Sequence, residues 1–113
     1  MPDFSELPFV WHDACAEAEV HADEPRSVKI ADIPVGLYRL GEAIHALSDV
    51  CTHEFALLSG GFVEGGKIEC PLHQACFDIR SGKCFGPMAE HDLKTFPVRI
   101  VRGRVMVGLC VDR

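Results

Sequence analysis

Residues 51–53 read Cys-Thr-His and residues 70–73 read Cys-Pro-Leu-His, with sixteen residues between the two tracts. Each tract is a tight corner offering one sulfur and one imidazole, so two loops together present a set of four ligands. Cys51 and Cys70 supply soft thiolates that suit zinc or iron–sulfur chemistry, and His53 and His73 supply borderline nitrogen donors. Any one of these residues alone reads as a core cysteine or a satisfied histidine. Two matched corners, both at strand-to-loop transitions and both bounded by glycine or proline, point instead to a metal centre. A mononuclear zinc ion uses this donor set routinely, although zinc fingers usually take a cysteine pair from one loop and a histidine pair from a helix. Here each corner mixes the donor types, which has a chemical use when the bound object contains two metals.

The rest of the chain limits what can carry such corners. Its 113 residues make room for one domain, 1–113, and a hydrophobic share of 48% with 25% charged residues is that of a globular chain. No apolar window approaches the length of a membrane span, and the opening residues MPDFSELPF are acidic with no apolar stretch, so neither membrane association nor export is expected and the cytoplasm is the expected location. A formal charge of -6 argues against nucleic acid and favours a basic protein surface as partner. Six cysteines without an export signal read as thiols or metal ligands in preference to a disulfide framework.

Short apolar runs between turn residues dominate. Strands are expected at 10–15, at 27–30 and 35–40 on either side of Asp32-Ile33-Pro34, and at 43–47 after a Gly41-Glu42 turn. The acidic stretch 16–25 has the composition of one helical turn, stopped by Pro25. From 48 to 66 periodicity is lost and Gly60, Gly61, Gly65 and Gly66 gather, as in a long functional loop. Strands return at 67–70, at 75–80 with a Ser81-Gly82 turn into 83–85, and at 95–101 and 104–109 flanking Arg102-Gly103. With Ser81-Gly82 as a two-residue turn, Cys84 pairs with Ile79, and a disulfide between Cys76 and Cys84 is not expected. About eight or nine strands and hardly any helix predict an all-β fold, an antiparallel sandwich or small barrel.

Cys51-Thr52-His53 and Cys70-Pro71-Leu72-His73 resemble the two ligand loops of Rieske proteins, in which two histidines replace two cysteines on one iron. The flanking strands resemble small Rieske ferredoxins over nearly the whole chain, most closely those of bacterial aromatic ring-hydroxylating dioxygenase systems. This resemblance implies an antiparallel base with an inserted cluster-binding subdomain over 49–85. It also implies one [2Fe-2S] Rieske cluster bound by Cys51, His53, Cys70 and His73, with both thiolates on one iron and both imidazoles on the other. Phe85-Gly86-Pro87-Met88 resembles the proline loop that covers the cluster from a third side. The implied function is one-electron transfer, without catalysis of its own, from an NAD(P)H-dependent flavoprotein reductase to a terminal oxygenase. The mononuclear iron site of an oxygenase would need more chain. Two other readings stay open: a small Rieske-like subunit of a nitrite reductase, whose members often lack the ligands that this chain keeps, and a zinc-stabilised interaction module.

Charge counting adds an expectation about the potential. Two ferric ions, two sulfides and two thiolates sum to zero, whereas four thiolates would leave a dianion, so imidazole ligation makes an added electron less costly. High-potential relatives carry a disulfide between the loops and a serine and tyrosine donating to the cluster sulfurs. This chain has Ala56 and Leu72 in the first pair of places and Ala75 and Phe77 in the second, which predicts a midpoint at the low end, roughly 150 mV below zero. Cys15, Cys76, Cys84 and Cys110 read as structural thiols on strands, and His12, His21, His45 and His91 have no partner at ligand spacing. Phe55, Leu57 and Leu72 are placed either to form an apolar collar for a partner or, for Phe55 and Leu57, to pack beneath the loop.

Overall fold

Alternating apolar and polar side chains run between turn residues along most of the chain, and the computed structural model describes residues 9–22, 24–50, 57–70, 76–85 and 92–110. Eleven strands lie among them: β1 (Phe9–Ala16), β2 (Arg26–Ile30), β3 (Ile33–Leu40), β4 (Ala43–Ser48), β5 (Phe62–Glu64), β6 (Lys67–Glu69), β7 (Cys76–Asp78), β8 (Cys84–Phe85), β9 (Thr95–Phe96), β10 (Val98–Val101) and β11 (Arg104–Cys110). All pair antiparallel in three sheets, with orders β1-β11-β10, β2-β3-β4-β9 and β5-β6-β7-β8. The expected all-β class is the one adopted.

Turn chemistry explains most of the hairpins. Ala31-Asp32, Gly65-Gly66 and Arg102-Gly103 each close a two-residue turn with both residues at positive φ, 49° and 69°, 61° and 78°, and 51° and 76°. That backbone twist matches the twist of the flanking strands. The β2–β3 turn is therefore shorter than expected from Asp32-Ile33-Pro34, because Ile33 and Pro34 already pair with Ile30 and Lys29. In the 16–25 stretch only Glu17–Glu19 forms a helical turn, of 3-10 type, and the Arg39 guanidinium donates to the carbonyls of Val20 (2.6 Å) and Glu17 (2.9 Å) at its end.

Three expectations are corrected. The supposed long loop 48–66 contains a 3-10 turn at Leu58–Gly60 and the strand β5, a run too short between glycine pairs to show a period. The turn after β7 spans 79–83 instead of Ser81-Gly82 alone, closed by Gly82 N–H donating to the Asp78 carbonyl (2.7 Å) and Asp78 N–H donating to that of Lys83 (2.8 Å). Asp78 accepts the Ser81 N–H (2.8 Å) and hydroxyl (2.9 Å), which stabilises this wider loop and ends β7 at Asp78. Cys84 consequently lies opposite Phe77, not Ile79, and Cys76 lies opposite Phe85. The two thiols thus face opposite sides of their sheet, and no disulfide joins them. Finally, the run 95–101 is split at Pro97, which has no N–H for a ladder: β9 pairs with β4, and β10 crosses to pair with β11.

Two cores result, and β3 and β4 are the wall between them. Val35 and Leu37 of β3 with Ile44 and Ala46 of β4 face the first core, shared with Cys15, Val20, Phe96, Val105, Val107 and Leu109. Tyr38 and Leu47, on the opposite faces of the same strands, enter the second core with Leu58, Ile68, Cys70, Phe77, Ile79 and Leu93. The first core fastens the two base sheets together. The second fastens the third sheet to the base, each fully buried aliphatic or phenyl side chain contributing about 1.5–3 kcal/mol.

Candidate metal centre

Of the four expected ligands, Cys70 is described. It directly follows β6, the strand between β5 and β7, and is 1% exposed. Its neighbours in the second core include Leu58, Ile68 and Phe77, so its sulfur sits where bulk water does not reach. Cys51, His53 and His73 lie outside the described residues, as do Phe55, Leu72, Ala75 and Pro87.

The flanks of those undescribed tracts are well defined. Phe62, Glu69, Cys76 and Phe85 stand opposite one another in turn across β5 to β8, forming one row at one end of the third sheet. Segments 71–75 and 86–91 both leave the described chain at this row, and 51–56 is joined to it through the Leu58–Gly60 turn that leads into β5. The segment 51–56 itself begins and ends at a bridged pair, Val50 and Leu57. A backbone bond from the Leu58 N–H to the Asp49 carbonyl (2.8 Å) reinforces that closure. At the third tract, the Asp92 carboxylate accepts the Cys84 N–H (2.8 Å) and the Leu93 N–H donates to the Gly82 carbonyl (2.8 Å).

Two glycines allow the flanks to come this close. A Cβ on Gly61 would collide with the carbonyl of Glu69, the residue before Cys70, and one on Gly82, at φ 77°, would collide with the carbonyl of Leu93. Backbone packed on backbone leaves no space for a side chain at either place. Above the first flank the neighbours are side chains instead: a Cβ on Gly36 would lie 2.9 Å from the Tyr38 hydroxyl and 3.2 Å from Asp49 Oδ1.

Two cysteines outside the expected ligand set have thiols shifted by their surroundings. Burial pushes the Cys76 thiol up, and the Glu69 carboxylate, with Oε1 4.0 Å from the sulfur, pushes it further. Burial likewise pushes the Cys15 thiol up. Both stay protonated at neutral pH, as structural thiols do, while a metal ligand must be a thiolate. No group of three His, Cys, Asp or Glu side chains placed to hold a metal occurs among the described residues, so no rival site competes there. The donor set fits an iron–sulfur group: a buried sulfur is described at Cys70, and the sequence adds one more sulfur and two imidazoles at positions 51, 53 and 73.

Asp49, Ser59 and Ser27 were not singled out from the sequence. Asp49 is completely buried and accepts hydrogen bonds from Ser27 Oγ (2.7 Å), Ser59 N–H (2.7 Å) and Ser59 Oγ (2.8 Å). Only the proximity of Asp49 to Cys51 in sequence could have drawn attention to it.

Comparison with known proteins places this geometry in a family. The model of the Rieske [2Fe-2S] domain matches residues 10–97. The anthranilate 1,2-dioxygenase ferredoxin subunit of Burkholderia cepacia is 42% identical over 101 residues, covering 88% of this chain and 92% of that protein. A chain in the complex of reduced oxygenase and oxidized ferredoxin in carbazole 1,9a-dioxygenase superposes with a TM-score of 0.80 at 32% identity, over 87% of this chain and 92% of that one. A putative NADH-dependent nitrite reductase small subunit from Mycobacterium tuberculosis gives a TM-score of 0.80 at 25% identity, over 92% of this chain and 98% of that one. The chain belongs to the Rieske [2Fe-2S] domain family.

Proposed function

We propose that this protein is a one-electron carrier that takes an electron from an NAD(P)H-dependent flavoprotein reductase and passes it to the terminal oxygenase of an aromatic-ring dioxygenase system. The carrying observation is that the Rieske match runs through both Cys/His corners, in a chain whose length and sequence follow a dioxygenase ferredoxin subunit. When bound, a [2Fe-2S] group of this ligand set takes up and gives back one electron. Cys51 and Cys70 would hold one iron as thiolates, and His53 and His73 the other through neutral imidazoles. The burial of Cys70 supports this assignment, because an enclosed sulfur suits the inner side of the centre.

Residues 49–85 act as the cluster-binding subdomain within a single domain, 1–113, and the enclosure of the second core around Cys70 supports that division. Among the described residues no helix is long and apolar enough to cross a membrane, and the cytoplasm is the compartment this reading assigns. The likeness to a chain of a ferredoxin–oxygenase complex supports an oxygenase as electron acceptor. A second reading, the small subunit of a nitrite reductase, draws on the equally good superposition with such a protein, at lower identity.

Anaerobically purified protein is expected to be red-brown, to contain iron and acid-labile sulfide, to give a rhombic resonance when reduced, and to titrate at roughly 150 mV below zero. Colourless protein containing zinc, or a strongly positive midpoint, overturns the corresponding part of this reading. His73→Ser should abolish the native spectrum. Reduced protein that fails to donate to any dioxygenase oxygenase component, yet sustains a nitrite reductase, favours the second reading.

A further inference from the structure

We propose that Asp49 is a positioning residue for the first ligand corner, clamping both ends of 51–56 to each other and to the base sheet; this rests on the electron-carrier reading. The side chain reaches forward to Ser59, ten positions on, through both N–H (2.7 Å) and hydroxyl (2.8 Å), and back to the Ser27 hydroxyl of β2 (2.7 Å). Its main chain makes two more bonds, the N–H donating to the Pro34 carbonyl (3.0 Å) and the carbonyl accepting from the Leu58 N–H (2.8 Å). Asp49 therefore joins β2, β3 and the residues that follow 51–56.

A completely buried carboxylate is an expensive way to close a loop. Among the described residues no lysine or arginine forms an ion pair with Asp49, and the partners described for its carboxylate are hydrogen-bond donors that offset its desolvation. The backbone ladder of Val50 and Leu57 would already hold the two ends together. Space is also set aside for the carboxylate, since position 36 cannot carry a side chain without meeting Asp49 Oδ1 and the Tyr38 hydroxyl. Groups that anchor a ligand from behind lower the ordering cost of metal capture, and their loss typically reduces metal affinity about tenfold to about a hundredfold. Asp49 stands two residues before Cys51, where such an anchor acts on the first corner.

The test uses full-length, cluster-loaded protein and follows iron transfer to excess chelator, the resonance of the reduced state and the denaturant midpoint. Asp49→Ala is expected to release iron about tenfold faster or more and to shift the resonance. Asp49→Asn should restore both, because its amide oxygen still accepts from the Ser59 N–H and the serine hydroxyls can turn to accept from its NH2. Val35→Ala, which loosens the first core, is the control for general destabilisation: equal acceleration and an equal resonance shift in that variant would overturn the clamp. Should Asp49→Ala not fold, Ser59→Ala carries the same test, with faster release and a shifted resonance as support and an unchanged protein as refutation. Loaded wild type alongside an indifferent Asp49→Ala overturns the clamp alone. Wild type lacking iron and labile sulfide overturns the electron-carrier reading, and the clamp with it.

Discussion

His45 contrasts with the histidines of the ligand corners. Its Nε2 is buried with no hydrogen-bond partner among the described residues. Burial lowers its pKa below the ordinary 6.5, nearby Arg80 lowers it further, and Asp78 opposes them. A protonated ring would put a second N–H where no acceptor waits. The unfolded chain therefore binds a proton that the folded one resists, so stability is fully present above about pH 6.5 and falls as pH drops through the window below it. Denaturant titrations between pH 7 and pH 5 should show this loss, and His45→Gln should flatten it. Tyr38, its partner across β3 and β4, also buries an orphan hydroxyl, whose pKa is raised by burial first and by Asp49 second.

The packing of turns against strands is decided by side-chain absence as much as by side-chain presence. Gly61, just before β5, and the carbonyl preceding Cys70 occupy adjoining space that a methyl group would fill. Gly61→Ala is expected to cost about 1–3 kcal/mol, as overpacking does, and to loosen the end of β6 that carries Cys70. Gly60 has open space around its Cβ position, so Gly60→Ala should leave the denaturation midpoint close to that of wild type. Equal destabilisation by both changes would mean that backbone flexibility, and not close approach, is what these glycines provide. Pro97 works in the same negative way, ending one ladder so that the chain can begin another.

The formal charge of -6 bears on the proposed role, in which the chain meets a reductase and an oxygenase in turn. An electron carrier gains from meeting quickly and parting quickly, and long-range attraction raises the encounter rate without adding a tight interface. Raising ionic strength from about 0.01 M to about 0.15 M shortens the screening length from about 30 Å to about 8 Å. Electron transfer to a basic oxygenase surface, followed by stopped-flow absorbance, should slow over that range. A rate indifferent to salt would assign recognition to apolar contact, for which Leu57, half exposed beside 51–56, is the described candidate.

Much of this was readable from local order alone. The strands of the base, the Arg102-Gly103 turn and, among the described residues, the absence of long helix follow from alternation and turn residues, whose effects act over two to four positions. The proposal that the two Cys/His corners hold the cluster also draws on local order, since ligand chemistry depends on residue type and close spacing. The sequence left hidden that β3 and β4 serve two cores, that Cys84 faces Phe77, and that Asp49 reaches Ser27 across twenty-two positions. Those facts depend on which faces meet after folding, and a one-residue change in a turn is enough to move them. Residue chemistry is therefore the ground for proposing what the corners bind, while long-range packing decided which faces and side chains meet around Cys70 and Asp49.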